Sequence, residues 1–311
     1  MEFFDNDLNA EIIGFGALNV DKLYSVENIV SKDEETFIKS ETSTPGGSAA
    51  NTIIGLSRLG CSTSIIGKIA EDEDGDLIEY NLAVNGVYEN NLIYAEEGST
   101  GKCLGFVDDE GERCLYINPG VNDEIKIDEI NPINIMRCKI MHYTSFVGDS
   151  FKTQIDLLEK LNKETKLSFD PGILYVQKGF DELKPILDRT DILLINEKEL
   201  RLLCDNNNSS IKELAIEFLD LGIETVVVKR GSKGVFAINN QESYDVPAFD
   251  CKVIDTTGAG DCFNSGFLYS YLKGYDLEKS CKIGNWVASK SIEGFGVEKF
   301  PSQKELMEFF K

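Results

Sequence analysis

For most of the chain, short runs of apolar residues alternate with stretches whose apolar positions recur every three to four residues. The runs Ile12–Leu18, Ser64–Gly67, Lys139–Tyr143, Lys166–Phe169, Asp191–Ile195 and Glu224–Lys229 have the length and content of buried strands. Between them, Ala49–Leu59, Asp74–Val84, Lys152–Leu161, Phe180–Leu187 and Ile211–Leu219 carry the helical period. This rhythm predicts βαβ units in the α/β class, a Rossmann-like three-layer α/β/α core with helices on both faces of a parallel sheet.

Two stretches break the rhythm. Leu23–Lys39 is extended and half polar, and Gly101–Asn118 reads as a hairpin around an Asp-Asp-Glu-Gly turn. A parallel core has no place for an isolated hairpin. The two are expected to form one small β-sheet lid from segments at about 22–42 and 99–119. The alternative is a surface hairpin covering the core edge. The C-terminal third is helical, over Cys262–Leu272, Leu277–Ile292 and Gln303–Phe310. Asp205–Ser210 is a loop in which Ser209 or Ser210 caps the next helix. No linker divides the 311 residues, so a single domain is expected over 1–311.

Composition narrows the chemistry. A formal net charge of −23 argues against nucleic acid and anionic membrane surfaces as partners. It leaves room for a small anion in a local electropositive pocket. The eight cysteines show no CxxC spacing, and His142 is the single histidine, so a structural zinc site is not expected. The opening MEFFDNDLNA lacks the features of a secretory signal. No apolar run approaches the ~18 residues of a membrane span. A cytoplasmic protein with reduced thiols is the expectation. His142 and Trp286 read as core residues.

The segment that carries chemistry is Asp255-Thr256-Thr257-Gly258-Ala259-Gly260-Asp261. It reads as strand, glycine-rich turn and helix, with Val253-Ile254 ending an apolar run and Asp261 opening the helix. Small residues let backbone approach a ligand. The first N–H groups of a helix lack internal partners and sit at the positive end of its dipole, which suits phosphate oxygens. A carboxylate at the edge can take a proton from an attacking hydroxyl. The structural alternative is that Asp261 is merely an N-cap. A GxxxxGK[ST] loop is absent, and Gly14-Phe15-Gly16 lacks the third glycine of a dinucleotide fingerprint.

The string DTTGAGD resembles the C-terminal signature of the ribokinase-like (PfkB) carbohydrate kinases. Pro45-Gly46-Gly47-Ser48-Ala49-Ala50-Asn51 is similar to their N-terminal signature, Asn196-Glu197-Lys198-Glu199 to their NxxE motif, and Lys229-Arg230-Gly231-Ser232-Lys233-Gly234 to their nucleotide-binding strand and turn. The resemblance covers essentially the whole chain. It implies a ribokinase-like fold and a kinase that uses ATP and Mg2+. Asp261 would be the catalytic base, with the N–H groups of Gly258, Ala259 and Gly260 as anion hole. Gly46, Gly47, Asn51, Asn19 and Asp21 would bind the hydroxyls of a sugar or nucleoside. Asn196 and Glu199 would order magnesium. Lys229, Gly231, Ser232 and Gly234 would line the nucleotide, with Asn285 near the adenine. Asp255 and the Thr257 carbonyl, closed by the Gly294–Val297 loop, would form a potassium site. Lid strands of this family often pair, which implies a homodimer through the lid.

Two departures bear on the acceptor. Ribokinases usually carry glycine at the position of Ala49. Many ribose-using members place a glutamate where this chain has Thr144-Ser145-Phe146. Both changes fit a nucleoside or another sugar at least as well as ribose. A phosphorylated sugar or sugar acid would need a basic partner, and Lys102 and Arg113 are the candidates. A catalytically silent binding regulator is a further alternative.

Overall fold

The computed structural model describes residues 10–294 and 299–310. Its strands are β1 (Ile12–Phe15), β2 (Asn19–Val26), β3 (Ile38–Gly46), β4 (Thr63–Ala70), β5 (Leu92–Ala95), β6 (Gly101–Val107), β7 (Arg113–Asn118), β8 (Ile140–Thr144), β9 (Lys166–Asp170), β10 (Ile192–Asn196), β11 (Thr225–Lys229), β12 (Val235–Asn239) and β13 (Ser243–Val246). The helices are α1 (Ser48–Arg58), α2 (Glu73–Val84), α3 (Pro132–Ile135), α4 (Ser150–Leu158), α5 (Gly172–Val176), α6 (Phe180–Leu187), α7 (Glu197–Leu203), α8 (Ile211–Asp220), α9 (Ala259–Leu272), α10 (Leu277–Ser291) and α11 (Gln303–Phe309).

Nine strands form one sheet in the order β13-β12-β11-β10-β9-β8-β1-β4-β5. From β5 to β11 every neighbouring pair is parallel; β12 and β13 add an antiparallel edge. The apolar runs alternate between two cores, as the two-residue period of a strand requires. Ile12, Leu194 and Val227 join α1, α2, α9 and α10 on one face. Ile13, Leu193, Ile195, Val226 and Val228 join the helices from α4 to α8 on the other. Each fully buried Leu, Ile or Val contributes roughly 1.5–3 kcal/mol.

The βαβ reading holds for all six strands placed from the sequence, although β1 ends at Phe15. The sequence pattern missed β5, β12 and β13. They lie at the two edges of the sheet and are partly exposed.

Four strands, in the order β3-β2-β6-β7, make the second, smaller sheet. β2 pairs parallel with β6, and each carries an antiparallel neighbour outward. The extended stretch before α1 lies further along than expected: β3 starts at Ile38 and runs through Pro45 into Gly46. One carboxylate fastens this sheet to the core. Asp74 of α2 meets Lys22 Nζ of β2 at 2.9 Å and Lys102 Nζ of β6 at 2.8 Å.

Candidate active site

The parallel strands end along one line. Thr144, Asp170, Asn196 and Lys229 are the last residues of β8, β9, β10 and β11, and register pairs Thr144 with Asp170 and Asn196 with Lys229. Open α/β sheets bind ligands at this end. A cavity of about 280 Å3 opens beside it, between the sheet end, the small sheet and the starts of α1 and α9.

Both helices begin with a positive-φ glycine and no side-chain cap. Gly47 (φ 112°) precedes α1, and Gly258 (φ 73°) precedes α9. At Gly47 the constraint is also steric, because a Cβ would fall 2.3 Å from the Ala17 carbonyl oxygen. At Gly258 there is room for a Cβ, and only the left-handed backbone requires glycine. Ala259 N turns back to the Thr256 carbonyl at 3.2 Å, and no side chain caps the N–H groups that follow it at the start of α9.

Asp261 is the third residue of α9. The helix opens two residues earlier than the sequence implied. Asp261 is not an N-cap: its Oδ2 accepts from Asn51 Nδ2 of α1 at 2.9 Å, and it lines the cavity. Nor does a strand precede the turn. Val253 and Ile254 are 58% and 45% exposed and lie in irregular chain. The turn is shaped by Asp255 instead, whose Oδ1 accepts from Thr257 N at 2.9 Å.

Burial pushes the Asp261 carboxyl up to about 7; the Asn51 hydrogen bond opposes this, while the negative charge of Asp170 adds to it. Asp21, on the small sheet, is raised by burial to about 6, with the Arg113 charge working against the rise.

Asn19, Asp21, Gly47, Asn51, Thr257, Gly258 and Asp261 all line this one cavity. Gly46 sits directly behind Asp21, so close that a Cβ there would lie 2.6 Å from Asp21 Oδ2. Gly260 lies on the strand-end side of the turn, where a Cβ would be 3.5 Å from Lys229 Nζ. Thr144, Ser145 and Phe146 complete the wall where the sequence departs from ribose-using kinases. Ala49 is fully buried, and its methyl fills the space beside Gly16.

Asn196 and Glu199 form a reciprocal capping box at α7: Asn196 Oδ1 accepts from Glu199 N at 2.9 Å, and Glu199 Oε2 from Asn196 N at 3.1 Å. Glu199 is buried rather than solvated, and burial, with Asp170's charge, raises its carboxyl above the usual range. Gly231, Ser232 and Gly234 form the turn after β11, where Arg230 N donates to the Gly234 carbonyl at 2.8 Å. Asn285 points away from open space; its amide donates to the Val246 and Pro247 carbonyls at 3.1 and 2.9 Å. Residues 295–297 of the Gly294–Val297 loop lie outside the described residues. Among the described residues no three His, Cys, Asp or Glu side chains are grouped to hold a metal ion.

Similarity to known proteins decides the family. The pattern of the pfkB family carbohydrate kinases matches residues 9–304. The chain belongs to this family. It is 40% identical to an uncharacterized sugar kinase of Archaeoglobus fulgidus, over 78% of this chain and 96% of that one. It is 29% identical to an ATP-dependent ribose-1-phosphate kinase of Halopiger xanaduensis, over 96% and 97%. It is 30% identical to a nucleoside kinase of Methanocaldococcus jannaschii, over 91% and 90%. The crystal structure of that nucleoside kinase, an archaeal member of the ribokinase family, superposes with a TM-score of 0.84, covering 96% of this chain and 98% of it.

This pfkB kinase is therefore an ATP-dependent phosphotransferase for a sugar or nucleoside on a ribokinase-like fold. No helix among the described residues is long and apolar enough to cross a membrane. His142 is a core residue, fully buried, with Nδ1 3.1 Å from Ser168 Oγ and burial holding its pKa down at about 4. Trp286 is core as well, stacked on Phe309. Lys102 faces Asp74, away from the cavity.

Several residues of the site were not singled out from the sequence. Asp170 ends β9, and its Oδ2 accepts from Lys229 Nζ at 2.5 Å and Asn264 Nδ2 at 2.6 Å. The signal was present, since an acidic residue just past an apolar run lands at the carboxyl end of a buried strand. Asn122 is 1% exposed; it bonds the Leu18 backbone at both N and O and donates to Asn19 Oδ1 at 3.0 Å. Its segment, Pro119-Gly120-Val121-Asn122-Asp123, carries no such signal.

Proposed function

We propose that this kinase transfers the γ-phosphoryl group of ATP to a hydroxyl of a nucleoside or sugar, with Asp261 as the base. The observation that carries the reading is Asp261 itself. A carboxyl raised to about 7 lies at the cavity floor, between two helix starts that lack side-chain caps. A base with a pKa near neutrality is ionised often enough to act and basic enough to accept a proton.

In this reading Asn19, Asp21 and Asn51 hold the acceptor hydroxyls, and Asn51 also aims the Asp261 carboxylate. The hydroxyl loses its proton to Asp261 as its oxygen forms the new bond to phosphorus, and the bond to the ADP oxygen breaks. The N–H groups of Gly258, Ala259 and Gly260 stabilise the charge on the transferred group. The nucleotide runs along the strand ends past Lys229 and the turn at Gly231, Ser232 and Gly234. Asn285 acts from behind, holding the chain at Val246 and Pro247 that would face the adenine. Glu199 fits a role toward hydrated Mg2+, since its carboxyl is buried within the influence of Asp170 and Lys229 at the strand ends. Asp255 and Thr257 would hold a potassium ion. A Mg2+ ion would neutralise charge on the ATP phosphates.

The cavity favours a nucleoside among acceptors. Its floor is polar, while Phe146, Val147, Leu174, Ile117 and Pro119 supply an apolar wall. Such a wall can cover a base while polar groups at the floor take ribose hydroxyls. The small sheet acts as a lid over the acceptor. Its outer strands β3 and β7 are largely exposed and offer edges to a second copy of the chain. The eight free thiols suit a cytoplasmic protein.

The test is ADP release across a panel of nucleosides, pentoses, hexoses, ribose-1-phosphate and other sugar phosphates. Selective turnover of nucleosides is expected. Turnover confined to sugar phosphates would reject the nucleoside assignment, and none with any acceptor would reject the kinase reading.

A further inference from the structure

A buried charge cluster lies under the glycine turn. Lys229 Nζ touches Asp170 Oδ2 at 2.5 Å and Asn264 Oδ1 at 3.1 Å, and Asn264 Nδ2 donates to the same Asp170 oxygen at 2.6 Å. The three residues come from β9, β11 and the second turn of α9. The side chains of Asp170 and Lys229 are 10% and 14% exposed, and Asn264 is fully buried. Burial alone would raise the Asp170 carboxyl, but the Lys229 charge and the hydrogen bonds outweigh it and hold it below the usual range.

The position of the ammonium calls for an explanation. It lies against Gly260, at the positive end of the α9 dipole, where a cation is disfavoured. A buried ion pair is weak as a stabilising device, because desolvation offsets most of the attraction. An ammonium has three hydrogens, and two are taken by Asp170 and Asn264. One remains, beside a helix start that has no side-chain cap. An anion held at this turn would give that hydrogen a partner.

We propose that Asp170 is a positioning residue: with Asn264 it holds the Lys229 ammonium at the glycine turn, so that the third hydrogen meets the phosphoryl group transferred there. This rests on the kinase reading and deepens it by naming what sets the lysine. Asp170 acts through Lys229 and makes no contact with substrate. Its electrostatic surroundings are Lys229 on β11, His142 on β8, Glu199 on α7 and Asp261 on α9. His142 is neutral, so Lys229 is the one cation among them.

The experiment is a double-mutant cycle on the full-length enzyme with Asp170→Asn, Lys229→Met and the pair. Turnover and acceptor KM come from ADP release, ATP affinity from calorimetry, and folding from thermal melts. Asp170→Asn is expected to lower kcat roughly 10- to 100-fold with acceptor KM within about two-fold. The double variant should be no slower than Lys229→Met alone, because the carboxylate has nothing left to position. Multiplied losses in the double variant, or a folded Asp170→Asn enzyme with kcat within about two-fold of the parent, would overturn the proposal. If the parent turns over no acceptor, the kinase reading fails first, and the cycle is read on ATP affinity. Non-additive losses of affinity then support the clamp, and additive or absent losses reject it.

Discussion

The helices of this protein start in two contrasting ways. Several at the periphery are sealed by their own side chains. At α8, Ser210 and Glu213 form a capping box, and at α11, Ser302 and Glu305 do the same. At α1 and α9 the cap is a positive-φ glycine with no side-chain bond. The sealed ends face solvent; the unsealed ends face the cavity that holds Asp261. Sealing satisfies orphan N–H groups and stabilises the helix. At α1 and α9, leaving them open forgoes that stability where an anion would supply the missing partners; α6 also starts at an uncapped positive-φ glycine, Gly179, so such a start does not by itself mark a site. α7 lies between the extremes, since its box is closed by Asn196 and Glu199, yet Glu199 is buried beside the charged cluster.

The contrast can be tested from its strongest consequence down. Asp261→Asn should lower kcat about 10^2- to 10^4-fold with ATP affinity nearly unchanged, measured by ADP release and calorimetry. A variant that keeps near-parental turnover would remove the base from the unsealed end. Gly258→Ala comes next. The added methyl has space, 3.5 Å from Asn51 Nδ2, so the penalty is the left-handed backbone, about 1–2 kcal/mol. Borne by the turn in the transition state, this lowers kcat roughly 5- to 30-fold. An equal fall in thermal stability with unchanged kcat would place the strain in the fold instead.

The pH profile is a third check. Asp261 must be ionised to act, so kcat/KM should fall below pH 7 and be about ten-fold lower at pH 6 than on the plateau. The same shift has a stability consequence of known sign. The folded carboxyl titrates near 7 and the unfolded one near 3.8, so ionisation works against the fold as pH rises between them. Asp261→Asn should therefore raise the melting temperature at pH 8 and lose that gain near pH 4. The smallest effect belongs to a sealed end. Ser210→Ala should cost about 1 kcal/mol in denaturant unfolding and leave kcat unchanged.

The parallel core was legible because its strands are apolar on both faces and its helices keep their period. The cap of α8 could be narrowed to Ser209 or Ser210 from its loop, and it is Ser210. The glycine turn and Asp261 were legible as a string, but their surroundings were not. The sequence suggested a strand before Asp255 because Val253 and Ile254 are apolar and β-branched; in the fold both face outward. Lys229 was expected along the nucleotide, but its tie to Asp170 was not legible, because that partner lies 59 residues away. Asn122 holds Leu18 and Asn19 across more than 100 residues. Such contacts depend on strand order, which local pattern does not encode.

The two lysines on Asp74 bear on how this enzyme can change. The small sheet consists of two excursions of the chain, β2–β3 and β6–β7, and Asp74 of α2 ties one strand of each to the core. Loops beyond that staple can lengthen, shorten or be re-lined while the strand ends beneath keep their register. On the proposed reading, the fold would separate an interchangeable acceptor wall from a fixed chemical floor. A designer seeking new acceptors would rewrite Cys103 and Ile117 and leave Asp74 alone.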